Sequence, residues 1–180
     1  MSVEYVVLVN ESDDEIGFME KMEAHEKAIL HRAFSVFLFN SRNEFLLQRR
    51  ALGKYHSPGL WTNSCCSHPR RNESSIDAAK RRLMEEMGMQ CDIREIFSFL
   101  YKADVGQGLT EHEFDHVFVG FTDDCPIINP EEVDDWKYLS LDELKLQMNA
   151  DPEQFTVWFR IAFAQVENFL LGSGIEEMKS

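Results

Sequence analysis

Hydrophobic and polar positions fall into three patterns along this chain, and each predicts a different kind of element. Residues 3–10 are rich in β-branched side chains and end in the polar run Asn10-Glu11-Ser12-Asp13-Asp14, which reads as a strand and a turn. Residues 16–19 are a partner strand for it. Residues 33–40 are apolar on both sides, as expected of a strand buried between two layers. Ser41-Arg42-Asn43 then turns the chain into 44–50, a hairpin mate. Residues 93–103 and 111–121 read as long strands separated by a glycine-containing loop, 104–110, and 136–139 as a short strand.

Helical spacing appears in three places. Ile76, Ala79, Leu83 and Met87 form one apolar stripe, with Asn72 or Ser74 as its cap and Gly88 as its stop. Ser140 and Glu143 make a capping box for a helix over 141–148. Beyond Pro152 the spacing is helical through Leu171 and ends at Gly172. Residues 51–61, with Gly53, Pro58 and Gly59, read as loop; residues 21–30 carry His25, and His31 stands just before the next strand. No internal repeat or linker divides the chain, so 1–180 is expected to form a single α/β domain with helices on both faces of a mixed sheet.

Composition narrows the function. The 180 residues suffice for a real core, and 44% hydrophobic with 12% aromatic residues argue against disorder. A net charge of −14 speaks against a general nucleic-acid or anionic-membrane surface, though not against an anionic small substrate held by local cations. The apolar runs fall well short of a membrane span, and nothing resembles a signal peptide. Four cysteines, two of them adjacent, read as reduced thiols of a cytoplasmic protein. Oligomeric state leaves no mark in the sequence.

The reactive groups are concentrated. From Ser67 the spacing runs to Glu73, then Arg81-Arg82-Leu83, Glu85-Glu86 and Gly88-Met89. This resembles the Nudix box, a loop–helix–loop whose glutamates hold a divalent cation against a diphosphate. Ser67 replaces the usual first glycine, and Arg82 replaces a glutamate, exchanging metal-binding charge for a phosphate-holding cation. The alternative is an exposed helix with an Arg82–Glu86 pair, in the weaker of the two orientations. Glu111 and Glu113 are two apart, so on a strand they share a face and repel unless a cation or proton lies between them. With His25, His31 and His68 they can enclose one divalent ion. His56, His112 and His116 read as hydrogen-bonded core or surface residues, the last two pointing away from the glutamates. Cys66, two residues before His68 and beside a metal-type helix, is in a setting expected to favour the thiolate. Cys65 should point the other way.

Thr62-Asn63-Ser64-Cys65-Cys66-Ser67-His68-Pro69 and Glu111-His112-Glu113, with His25 and His31 upstream and the altered box between, resemble the type I isopentenyl-diphosphate δ-isomerases. The likeness runs through Arg49-Arg50-Ala51-Leu52, Pro58-Gly59-Leu60-Trp61 and Trp158. It implies a Nudix-like α/β/α sandwich with a mixed sheet. The activity it implies is a reversible double-bond shift between isopentenyl and dimethylallyl diphosphate, with a proton added on one face and removed from the other. Such chemistry needs a positioned acid, an opposed base and a dry aromatic wall, because the alkene is a feeble base and water captures the carbocation.

Carried over residue by residue, Cys66 and Glu113 match the acid–base pair, and Tyr101 matches a tyrosine that assists the glutamate. Trp158 matches an aromatic that steadies positive charge. In the forward direction the expected donor is Glu113 with Tyr101, and the base Cys66. His25, His31, His68, Glu111 and Glu113 match the ligands of one ion, Mn²⁺, Zn²⁺ or Mg²⁺; Glu86 matches a ligand of the Mg²⁺ that comes with the diphosphate. Lys21, Arg50, Lys54 and Arg82 match the phosphate-binding cations. This chain has Cys65-Cys66-Ser67 where many relatives have one cysteine followed by glycine, and the register from His68 selects Cys66. Two other readings stand beside this one: a Nudix pyrophosphohydrolase of nucleoside diphosphates, which Arg82 disfavours, and a non-catalytic metal-binding module.

Overall fold

The polar run after residue 9 folds the chain back on itself. In the computed structural model, which describes residues 3–172, β1 (Tyr5–Val9) and β2 (Glu15–Glu20) form an antiparallel hairpin. Helix α1 (Lys21–Glu26) follows at once, its first turn capped by the Glu20 carboxylate, which accepts from the Met22 and Glu23 N–H groups. The apolar run forms β3 (His31–Phe39), with β4 (Phe45–Arg50) as its hairpin mate. Then come two very short strands, β5 (Trp61–Thr62) and β6 (Cys65–Ser67). Helix α2 (Ser75–Met87), strands β7 (Ile93–Gly106), β8 (Leu109–Phe121) and β9 (Val133–Leu139), and helices α3 (Leu141–Ala150) and α4 (Val157–Leu171) complete the described chain.

Strand β3 is the hub of the sheet. Along one edge it runs parallel to β8, from His31 opposite Glu113 to Phe39 opposite Phe121. Its other edge is shared among antiparallel neighbours: Leu8 of β1 meets His31, β6 covers Phe34 to Val36, and β4 takes Leu38 and Phe39. β7 pairs antiparallel with β8, and β9 with β4, so the sheet is mixed. Alternation along β3 divides its side chains between two layers. Phe34, Val36 and Leu38 pack with Ala79, Leu83 and Met87 of α2. Phe37 and Phe39 pack on the opposite side with Phe159, Phe163 and Val166 of α4. The helices therefore lie on both faces, as the order of elements predicts.

Several boundaries differ from the sequence expectation. The loop expected over 104–110 is only a two-residue turn, Gln107-Gly108, with φ of 57° and 76°. A turn with both central residues in the left-handed region matches the twist of the flanking strands, so pairing continues to Gly106 opposite Leu109. His31 lies inside its strand rather than before it, and β9 begins at Val133. Ser74, not Asn72, caps α2. Gly88 ends that helix at φ 62°, where a Cβ would come within 2.5 Å of the Ile127 carbonyl oxygen. The expected helix after Pro152 is interrupted: a 3₁₀ turn at Pro152–Gln154 gives way to extended backbone at Phe155 and Thr156 before α4 starts. The cause is tertiary, because the Thr156 N–H donates to the carbonyl of Trp61 at 2.9 Å, and Trp61 itself leaves the expected loop by pairing with Arg49 of β4. Among the described residues no helix is long and apolar enough to cross a membrane.

Candidate active site

Thr62, Asn63 and Ser64 are wholly buried, and their polar side chains anchor backbone. Asn63 Nδ2 donates to the carbonyls of Val36 (3.1 Å) and Cys65 (2.8 Å). Ser64 Oγ donates to the Leu46 carbonyl at 2.7 Å and accepts from the Leu38 N–H at 2.9 Å. Thr62 Oγ1 donates to Asn63 Oδ1 and meets Thr156 Oγ1, both at 2.8 Å. The three residues clamp β6 against β3 and tie it to the start of α4. On this pinned strand the two cysteines diverge: Cys65 is buried in the α2-side core, and Cys66 packs against the α4-side core and lines a cavity.

Strand β8 supplies the opposite wall. Glu111, Glu113 and Asp115 alternate onto one buried face. The sheet register sets Glu113 between His31 of β3 and Tyr101 of β7. The Tyr101 hydroxyl donates to Glu113 Oε2 at 2.6 Å. Burial and the neighbouring Glu113 charge raise this phenol well above its ordinary range, so it keeps its proton. His112 and His116 point away as expected, to the Ala28 carbonyl (2.9 Å) and to Asp13 (2.8 Å) and Glu95 (2.6 Å).

One ligand atom from each of His25, His31, His68, Glu111 and Glu113 lies within 4.8 Å of all the others. The tautomers follow from the partners. His25 Nδ1 donates to the Lys21 carbonyl at 2.6 Å and His31 Nδ1 to the Ile29 carbonyl at 2.8 Å, since a carbonyl can only accept. With Nδ1–H so engaged, a ring in its neutral form presents a bare Nε2 lone pair, although Glu111 outweighs burial and raises the His25 imidazole. His25 Nε2 faces Glu111 Oε2 at 3.1 Å, and His31 Nε2 faces His68 Nε2 at 3.2 Å and Glu113 Oε1 at 3.5 Å. Lone pairs aimed at lone pairs and carboxylates repel, and a cation among them reverses the sign. Burial pushes the His68 imidazole down to about 4 despite Glu113 beside it, which leaves its ring neutral and able to ligate. A divalent metal therefore fits this cluster. With chelator-stripped protein, Mn²⁺ at about 100 times its dissociation constant stabilises by about 2.7 kcal/mol, which for a chain of this size raises Tm by roughly 5–10 °C. Unchanged melting with Mn²⁺, Zn²⁺ and Mg²⁺ alike would remove the ion from this site.

Cys66, Glu113, Tyr101 and Trp158 line one cavity of about 400 Å³. Cations ring its mouth, including Lys21, Arg50, Lys54 and Arg82. Each of the four has a partner: Lys21 pairs with Glu4, Lys54 with Glu132, and Arg82 with Glu85 (2.8 Å), Glu86 (2.6 Å) and Glu132 (3.2 Å). The Arg50 guanidinium stacks 5.2 Å from the Trp158 ring centroid. The Arg82–Glu86 pair forms, but it is no surface pair: Glu86 is buried behind Arg82 and also accepts from Gln48 Nε2 at 2.9 Å.

One expectation is corrected here. Burial pushes the Cys66 thiol up to about 12, with Arg50 only partly opposing, so the expected thiolate-favouring setting is absent. His56, read as a hydrogen-bonded core or surface residue, is a buried one, and its Nε2 lies 2.7 Å from Glu111 Oε1. Asp115 was overlooked as well. It accepts from Ser35 Oγ at 2.7 Å, and burial beside Glu113 raises its carboxyl well above the usual range. The two-residue alternation that pairs Glu111 with Glu113 extends to Asp115 and could have found it; nothing local marks His56.

Residues 29–159 match the NUDIX domain family. The chain is 53% identical over 161 residues to isopentenyl-diphosphate Delta-isomerase 2 of Aromatoleum aromaticum, covering 89% of this chain and 85% of the relative. It is 51% identical to the isopentenyl-diphosphate Delta-isomerase of Pectobacterium atrosepticum, with 94% of each covered. Among solved structures, a Deinococcus radiodurans protein superposes with a TM-score of 0.68 at 24% identity, covering 82% of this chain and 90% of its own. The MutT protein of Methanosarcina mazei Go1 superposes at 0.62 and 19%, covering 77% and 94%. At such identities these two speak for the fold alone.

Proposed function

The chain belongs to the isopentenyl-diphosphate Delta-isomerases within the NUDIX domain family, and from that premise we propose how its residues divide the interconversion of isopentenyl and dimethylallyl diphosphate. The observation that carries the reading is one cavity walled by Cys66, Glu113, Tyr101 and Trp158, with a basic mouth in a protein of net charge −14. The diphosphate is anchored at the mouth by Lys21, Arg50, Lys54 and Arg82, of which the two lysines and Arg82 exchange their carboxylate partners for phosphate oxygens. Glu86, behind Arg82, would meet the Mg²⁺ that accompanies it once Arg82 turns to the phosphate. The five-carbon tail then points inward, away from water.

The double bond moves by two proton transfers. A proton joins the terminal CH₂ carbon, the π pair forms that C–H bond, and positive charge develops on the tertiary carbon. Loss of a proton from the CH₂ on the other side of that carbon leaves its bonding pair as the new double bond. Cys66 and Glu113 are the two groups that exchange these protons with the substrate, one donating while the other accepts. The return direction exchanges the roles. Tyr101 steadies Glu113 through its 2.6 Å hydrogen bond. Trp158 offers its π face to the transient cation, an interaction of roughly 0.5–2 kcal/mol. His25, His31, His68, Glu111 and Glu113 would hold a divalent ion, which would supply positive charge beside the Glu113 carboxylate. Mn²⁺, Zn²⁺ and Mg²⁺ all suit this mixed nitrogen and oxygen set. The four cysteines are free thiols, which suits the reducing cytoplasm.

Incubation of the protein and Mg²⁺ with isopentenyl diphosphate in D₂O is expected to place deuterium in the allylic product. Phosphate release without deuterium incorporation would instead mark a pyrophosphohydrolase, and neither outcome a binding module. Arg82 already disfavours the hydrolase, since it stands where such an enzyme has a carboxylate and is ion-paired to Glu85 and Glu86.

A further inference from the structure

His56 touches three parts of the site at once. Its Nε2 lies 2.7 Å from Glu111 Oε1. Its backbone carbonyl accepts from Arg50 Nη2 at 3.1 Å. Its ring meets Trp158 edge-on, with centroids 5.6 Å apart. The residue is only 2% exposed, and its ring packs edge-on against Tyr55 at 4.4 Å. The chain reaches this position through a tight loop, where Gly59 N–H donates to the Arg50 carbonyl and Ser57 holds a left-handed φ of 47°.

The direction of the His56 hydrogen bond follows from chemistry. A carboxylate oxygen only accepts, so Nε2 is the donor. Nδ1 faces the Ser57 hydroxyl at 3.3 Å, which can donate to it and so favour the Nε2–H tautomer. The second oxygen of Glu111 faces His25 Nε2 at 3.1 Å. The terminal torsion of a glutamate is soft, and an unheld carboxylate turns readily.

We propose that His56 is a positioning residue, which holds Glu111 Oε1 so that Oε2 is presented to the histidine cluster. The inference rests on the reading of His25, His31, His68, Glu111 and Glu113 as holders of one ion and extends it, because His56 is not among the five. Groups that orient a ligand carboxylate from behind typically contribute 10–100-fold to metal affinity.

The test uses full-length protein stripped of metal and titrated with Co²⁺, followed by its visible absorption, in the unchanged protein and in His56→Ala, His56→Asn and His56→Gln. A glutamine amide nitrogen reaches the place of Nε2, whereas asparagine is too short. His56→Ala and His56→Asn are expected to bind Co²⁺ about 10–100-fold more weakly with a shifted spectrum, while His56→Gln restores both. All three keep the backbone carbonyl that holds Arg50, so kcat should fall while KM for isopentenyl diphosphate stays level. Melting of the metal-free variants identifies those that fold. Unweakened Co²⁺ binding by folded His56→Ala, or a folded His56→Gln no better than His56→Ala, overturns the proposal while leaving the five-residue site intact. Failure of the unchanged protein to take up one Co²⁺ overturns the site reading itself, and this inference with it.

Discussion

Replacing Cys66 by alanine lowers isomerisation by about 10³-fold or more, while Cys65→Ala leaves turnover nearly intact. The first figure reflects the 10²–10⁴-fold that a positioned proton carrier contributes, at the upper part of that range because an alkene is so weak a base that water cannot substitute. The contrast follows from β6, whose extended backbone sends adjacent side chains to opposite faces. Cys66 reaches the cavity; Cys65 is sealed in the α2-side core among Leu38, Leu46 and Leu83. Losing the buried Cys65 sulfur should cost stability, roughly 1 kcal/mol, rather than chemistry. Deuterium incorporation and thermal melting, measured on both variants, separate the two effects. If Cys65→Ala proves dead and Cys66→Ala active, the register of the whole stretch has been misassigned.

Glu113→Gln produces the other large loss, again about 10³-fold or more, and it exceeds that of Glu86→Gln. The amide still accepts from Tyr101, but it can neither take up a proton at useful strength nor supply an anionic oxygen to the ion. Two functions fall together. Glu86→Gln removes one charge-assisted bond to Arg82, worth roughly 1.5–3 kcal/mol or about 10–100-fold. Arg82 keeps Glu85 and Glu132 as neighbours, so the cation stays in place. Measuring kcat and Co²⁺ affinity for both variants distinguishes the cases. Equal losses in kcat would mean that Glu113 serves as a ligand and nothing more.

Much of the site was legible before the fold because it depends on local repeats. Period-two alternation places Glu111 and Glu113 on one face of β8 and turns His112 away; it also separates Cys65 from Cys66. The α2 stripe and the Ser140–Glu143 capping box were readable for the same reason. Errors gathered where backbone responds to distant partners. The break before α4 arises from the Thr62 and Trp61 contacts to Thr156, and helical spacing alone gives no sign of it.

Resemblance supplied the roles of the reactive residues, yet it left two physical matters undecided. A string of letters around Cys66 suggests an electropositive niche; the packed interior, with Glu86, Glu113 and Asp115 nearby and water withdrawn, holds the thiol in its neutral form. Likewise, the resemblance matches the rim cations to phosphate without naming their resting partners, whereas each is held by a carboxylate or a ring in the folded protein.

The sequence by itself determined the order of strands and helices, the facing of neighbouring side chains and the inventory of sulfur, imidazole and carboxyl groups, since these follow from backbone periodicity and residue chemistry. Tertiary structure alone decided that His56 meets Glu111, that burial raises the Cys66 thiol, and that three imidazoles converge with two carboxylates. Those outcomes depend on distances between segments far apart in the chain and on the exclusion of water, and both exist only once the layers have packed.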